Sequence, residues 1–296
     1  MISVPFLRFR LPVLALSFAV LGLTASCDRK EKDNDDTAPI EELQVTSSDH
    51  ATADNDDAVA SESIEQDTPA EADMSRAINA GSPAAERRSM AGGCATRTWD
   101  PATHTLTIDF GAVNCTCNDG RERRGQLIAV FSGRPNVRGT TVTITRQNYF
   151  VNDNQHLGTK VITYTDYNAW QVVMTGGQIN FADGRTATWT ADRTVTRTAA
   201  PGVPTTFTIR GTASGVNRKG NHYSAAIDDA HPLVKRREAG CYNVFVDGIL
   251  TVRNNTRDRI AVLNYNPSGA TPAPCDDLAT VSVNGGAPRQ IHINRR

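Results

Sequence analysis

Apolar and polar positions fall into three regimes along the chain. Residues 11–23 (LPVLALSFAVLGL) form one unbroken apolar run. From 28 to 90 apolar residues are sparse and follow no period. From Cys94 onward they alternate. Thr105-Leu106-Thr107-Ile108-Asp109-Phe110 switches at every residue, and so does Thr140-Thr141-Val142-Thr143-Ile144-Thr145-Arg146. Such alternation marks strands with one buried and one solvated face. Residues 127–131 form a denser apolar run. Further strands, rich in Thr, Val, Ile and aromatics, are predicted at 160–165, 170–175, 186–197, 205–212, 222–227, 243–252, 259–265, 279–283 and 290–294. Turn pairs such as Asp119-Gly120, Gly176-Gly177, Asp183-Gly184, Lys219-Gly220 and Asp247-Gly248 punctuate them. No long 3.6-residue period is present in the body. The fold is read as all-β, an extended antiparallel meander, open or curled into a sandwich or barrel, behind a disordered N-terminal tether.

The apolar run carries an address. Arg8 and Arg10 precede it, and Thr24-Ala25-Ser26-Cys27 ends it. Residues 1–26 thus read as a signal peptide, since the run is short for a ~20-residue membrane span. The context of Cys27 resembles the bacterial lipobox, except that Leu23 stands four residues before the Cys. The resemblance implies a lipidated Cys27 and a membrane partner through that anchor. The following DRKEKDNDD resembles the acid-rich signal that sends lipoproteins to the cell surface in one large group of Gram-negative bacteria. It implies an outer-membrane, surface-facing location, with the periplasmic face as the alternative. Asp36-Thr37-Ala38 resembles the O-glycosylation motif of those bacteria, which makes Thr37 a candidate acceptor.

Charge is divided just as sharply. Residues 28–90 hold 17 acidic and 6 basic side chains, a net −11, with no aromatic residue. Such a segment buries too little apolar surface to offset its ordering entropy, so 27–90 is expected to be a self-repelling spacer. A short helix near 70–78 is the one local element expected there. The body, 91–296, holds 23 basic and 15 acidic residues, a net +8. Its only lysines are Lys160, Lys219 and Lys235; the rest are arginines, whose planar fork suits carboxylate, sulfate or phosphate.

Little in the body points to catalysis. His104, His156, His222, His231 and His292 stand singly, outside any mechanistic motif. The two Glu of the body, Glu122 and Glu238, lie in the basic runs RERR and KRREAG. Asn152-Asp153-Asn154 and Asp276-Asp277 read as turns rather than calcium ligands. The body is therefore expected to be non-enzymatic, with no metal and no cofactor. Five body cysteines remain, Cys94, Cys115, Cys117, Cys241 and Cys275. In an oxidising space they are disulfide candidates. The natural pairs are Cys241 with Cys275, and Cys94 with Cys115 or Cys117, leaving one over. These pairs follow an internal echo: each end of the body shows a Cys, a hairpin, a second Cys and another strand.

Two features favour binding. One is the pair of basic runs, Arg121, Arg123 and Arg124, then Lys235, Arg236 and Arg237. The other is the set of strand aromatics, with Trp170 and Trp189 foremost, which suit sugar stacking or a sheet core. The stretches NCTCNDGRERRGQLIAVFSG, TITRQNYFVNDNQHLGTKVIT and IRGTASGVNRKGNHYSAAI resemble a group of uncharacterised surface-type bacterial lipoproteins. That resemblance implies a fold and a location and no mechanism. The chain is expected to be a binding module for a glycan or anionic polymer. An assembly lipoprotein that adds a strand to an envelope protein is the alternative. A secreted hydrolase is a further one, with no residues to carry it. Nucleic acid is not an expected partner at this location.

Overall fold

Alternating side chains and two-residue turns build a meander, because each strand pairs with the next and buries one parity of residues. The computed structural model describes residues 45–47, 49, 50, 53, 56, 59–61, 63–65, 67–69, 78, 79, 94–238, 241, 245–276 and 278–292. Cys27, Thr37 and most of the helix expected at 70–78 lie outside the described residues. Ile78, the last of that stretch, belongs to a strand.

The strands are β1 (Ile78–Asn79), β2 (Thr96–Asp100), β3 (Thr105–Asp109), β4 (Cys115–Thr116), β5 (Glu122–Phe131), β6 (Thr141–Val151), β7 (Asn154–Asp166) and β8 (Ala169–Asn180). Then come β9 (Thr186–Ala200), β10 (Val203–Val216), β11 (His222–Ile227), β12 (Leu233–Arg237), β13 (Ile249–Asn254), β14 (Arg259–Asn264), β15 (Leu278–Val283) and β16 (Arg289–His292). All sixteen join one sheet in chain order, with β4 added beside β5 and β12 beside β10. Every described pairing is antiparallel. No described pairing joins the two ends, so the sheet is open.

The central strands β7 to β10 run 12 to 15 residues, longer than the alternation alone predicts. The reason is local. Asn152 and Asp153, both at positive φ, form a two-residue hairpin turn that lets β6 and β7 pair to their tips. Gly125 sits at a bulge in β5 with φ +83°, where a Cβ would stand 1.9 Å from the Asn148 carbonyl oxygen. The strand expected at 243–252 begins only at Ile249, because Gly248 at φ +112° turns the chain first.

One face of the sheet is buried. Leu106, Ile108, Leu127, Ala129 and Ile144 fill one cluster, and Met174, Trp189, Leu233, Leu250 and Leu263 fill another. The opposite face is mostly Thr, Ser, Gln and Arg. What covers the buried face corrects an expectation. At every described position from 45 to 67 the backbone is helical, and Ala53, Val59, Ala60 and Ile64 are buried. Ala53 belongs to one core cluster, and Ala60 and Ile64 to the other. This part of the acidic segment is therefore a packed element of the domain and not spacer.

Both body disulfides close over a hairpin. Cys94–Cys115 encloses β2 and β3, and Cys241–Cys275 encloses β13 and β14. Cys117 is the free, buried fifth cysteine. On the chain-entropy model, loops of 21 and 34 residues stabilise by about 3–4 kcal/mol each.

Candidate functional site

The helical segment is held by charge as much as by apolar contact. All four of its described acidic residues pair with cations from the sheet. Asp49 accepts from Arg218 Nε at 2.6 Å and from the Arg218 amide at 3.0 Å. Asp56 meets Arg121 and lies 3.4 Å from His156 Nε2. Glu65 bridges Arg197 at 3.4 Å and Arg237 at 2.9 Å. Asp67 pairs with Arg97 at 2.7 Å. Lys160 Nζ donates to Ser61 Oγ at 2.9 Å, and Asn217 donates to Thr46 Oγ1 at 2.7 Å. Desolvation strengthens each attraction and makes the loss of one partner costly. The acidic segment and the basic body are thus two halves of one packed interface.

That interface leaves two adjoining cavities. The inner one, ≈ 140 Å³, lies between Ser61 and Glu65 on one side and β7, β8, β9, β10 and β12 on the other. Its walls are mainly apolar, including Trp170, Met174, Phe207, Ile209, Leu233 and Phe245, with Lys160, Arg193, Lys235 and Arg237 among them. The outer one, ≈ 380 Å³, is more polar and is bounded by Arg134, Asn136, Tyr164 and Tyr167. Ser61, Glu65 and Trp170 line both and so mark the junction. Lys160 and Arg237, the partners of Ser61 and Glu65, flank it.

Aromatic rings frame the junction. Trp170 lies 6.0 Å from Tyr164 and 6.2 Å from Phe207, ring centre to ring centre. Arg237 stands 4.9 Å over Phe207, and Lys235 4.9 Å over Phe245. Burial, with the nearby Glu65 carboxylate adding, pushes the Tyr164 phenol up to about 12, so it stays a neutral donor.

The structure sorts the residues singled out in the sequence. Trp170, Lys235 and Arg237 converge here. Trp189 does not: it is a core residue, its ring laid against Gly177, where a Cβ would come within 2.6 Å. Arg121 is engaged with Asp56. Arg123 is buried in a fork with Asp119 at 2.6 and 2.7 Å and holds the Tyr149 hydroxyl at 3.2 Å. Arg124 pairs with Asp153 near the β6–β7 turn and lies over Phe150. Arg236 packs beside the Cys241–Cys275 disulfide, donating to the Ala273 carbonyl at 2.7 Å and pairing with Glu238 at 3.0 Å. These five are structural. Glu238, Cys241 and Cys275 approach one another, but the sulfurs are bonded to each other and so offer no thiolate for a metal. Of the strand aromatics, Trp99, Tyr149, Tyr164, Trp189 and Tyr223 all face the buried side. They make a core and not a solvated stacking platform.

Lys160, Arg193, Phe207 and Phe245 were missed. Lys160 and Arg193 were findable. Each sits on the apolar parity of its strand, Lys160 in step with Ile162 and Tyr164, and Arg193 in step with Trp189 and Ala191. A charge on the inward parity signals either an ion pair or a site. Glu65 and Ser61 had no such signal, since their segment reads as spacer.

No family model, no curated protein and no solved structure matches this chain.

Proposed function

We propose that the chain is an envelope lipoprotein, anchored through Cys27, whose β domain is a non-enzymatic binding module for an anionic ligand, the acidic glycans and polymers of an envelope being the natural pool. The observation that carries the reading is the convergence of Lys160, Arg193, Lys235 and Arg237 with Trp170 and Phe207 around the inner cavity. Cations recognise carboxylate or sulfate, and an indole face supports the apolar side of a sugar ring. An assembly role has less behind it. Among the described residues the exposed large apolar side chains are Val113, Val130, Val137, Tyr167 and Val203, and none of them lies on the edge strand β16.

Isothermal titration of the full chain with oligogalacturonate tests the reading. Binding that weakens at least tenfold in Arg237→Gln, and not in Arg124→Gln, is expected. Equal affinity in the two variants would sink this site. Protease shaving of intact cells tests the location: loss of the β domain supports a surface-facing anchor, and full protection overturns it.

A further inference from the structure

The two cavities differ in chemistry, and the difference specifies more than an anion. The outer cavity offers Arg134, Asn136, Tyr164 and Tyr167 to a polar group. The inner one is walled mainly by Val172, Met174, Ile209, Leu233 and Phe245, with Glu65, Lys160, Arg193, Lys235 and Arg237 also in its lining. An apolar cavity of roughly 150 Å³ accepts a benzene-sized group, and the inner cavity measures ≈ 140 Å³.

We infer that the inner cavity is the site for the apolar part of a small amphiphilic carboxylate, an aryl or short acyl group of about benzene size, whose carboxylate stops at the junction beside Lys160 and Arg237. This rests on the anion-binding reading and names its ligand class. The placement follows from the walls. Ser61, Glu65 and Trp170 belong to both cavities, so the cations that pair with Ser61 and Glu65 stand where apolar lining gives way to polar. Lys160 is 2 % exposed, and a charge-assisted contact made at that depth is stronger than one at the surface, while Arg237, shared with Glu65, stands nearer the mouth with 30 % of its side chain exposed. Trp170, at the junction, covers the ligand where its two parts meet.

The probes are 3-phenylpropionate and its neutral analogue 3-phenylpropanol, titrated into the full chain by calorimetry and by thermal melting. The carboxylate is expected to bind and to raise the melting temperature as its concentration passes the dissociation constant. The alcohol is expected to bind at least tenfold more weakly. Ala191→Leu narrows the cavity from β9 and should abolish binding. Val172→Phe narrows it from β8 and keeps the test open if the first variant fails to fold by circular dichroism. Equal binding of acid and alcohol would overturn the role of the cations. Unchanged binding in a folded, narrowed variant would overturn the cavity. If oligogalacturonate binds and phenylpropionate does not, the ligand class falls and the anion-binding reading survives. If neither binds, both fall.

Discussion

Replacing Asp67 by Asn tests whether the acidic segment is an integral part of the domain. Asp67 and Arg97 are nearly enclosed, with 1 % and 8 % of their side chains exposed, and meet at 2.7 Å. Arg97 also donates to the Ala95 carbonyl at 3.1 Å, which fixes its fork in place. Neutralising Asp67 removes a carboxylate charge from beside that buried cation. Two unit charges at about 4 Å attract by roughly 4 kcal/mol at an effective dielectric of 20. Breaking one side of a buried pair costs about 3–5 kcal/mol. For a domain of this size that lowers the melting temperature by roughly 6–20 °C. Urea denaturation followed by circular dichroism gives the free energy, and scanning calorimetry gives the temperature. The double variant Asp67→Leu with Arg97→Met, which removes both charges, should return to within about 1 kcal/mol of the parent. A residue in a solvated spacer would change stability by no more than about 0.5 kcal/mol. That result for Asp67→Asn would refute the docking of the segment.

Three further outcomes are expected. Deleting residues 45–69 should abolish the cooperative thermal transition; a sharp, unshifted transition would show that the sheet needs no cover. Burial raises the Cys117 thiol pKa, with the Arg123 contact only partly opposing it, so the native protein should resist a thiol reagent such as DTNB at pH 8 and yield one reactive thiol once unfolded, and rapid native labelling would contradict the assigned burial. Burial also raises Tyr149 and Tyr164, the latter to about 12. An unfolded tyrosine ionises near ~10, so the stability these phenols contribute is complete below that pH and is lost as pH rises from ~10 toward 12. Tyr164→Phe should flatten this alkaline loss, by on the order of 2 kcal/mol, in pH-dependent urea titrations.

The meander was legible in the sequence because period-two alternation is a local signal that tertiary packing rarely overrides. Leu106 and Ile108, or Val142 and Ile144, declare their buried face without help from neighbours. Turn chemistry placed the hairpins, and the matching hairpins at the two ends anticipated the Cys241–Cys275 bond and narrowed the partner of Cys94 to Cys115 or Cys117, of which Cys115 is the one bonded. Segment 45–69 was misread because composition averages over positions. Its buried apolar residues, Ala53, Val59, Ala60 and Ile64, are too small and sparse to announce a helix that could stand alone. The residues that dock it are acids, and an acid speaks for folding only when its cation is known. Those cations, Arg97, Arg121, Arg197, Arg218 and Arg237, lie 30 to 172 positions away, a separation at which single-sequence reasoning has no access to pairing. The site was half legible for the same reason. Trp170, Lys235 and Arg237 were visible as residue types, but their meeting at Glu65 depends on that docking.

For a chain anchored at Cys27 as proposed, the docked segment would also set how far the domain can stand from a bilayer. Taken as spacer throughout, residues 28–90 would let the sheet range up to roughly 220 Å from Cys27, at 3.3–3.6 Å per residue. With packing already under way at Val45, only residues 28–44 are left to pay out, and they span at most about 60 Å. A protein anchored at Cys27 would therefore search a shell of the envelope only about a quarter as deep. Its catch would be whatever lies close to the headgroups from which it hangs.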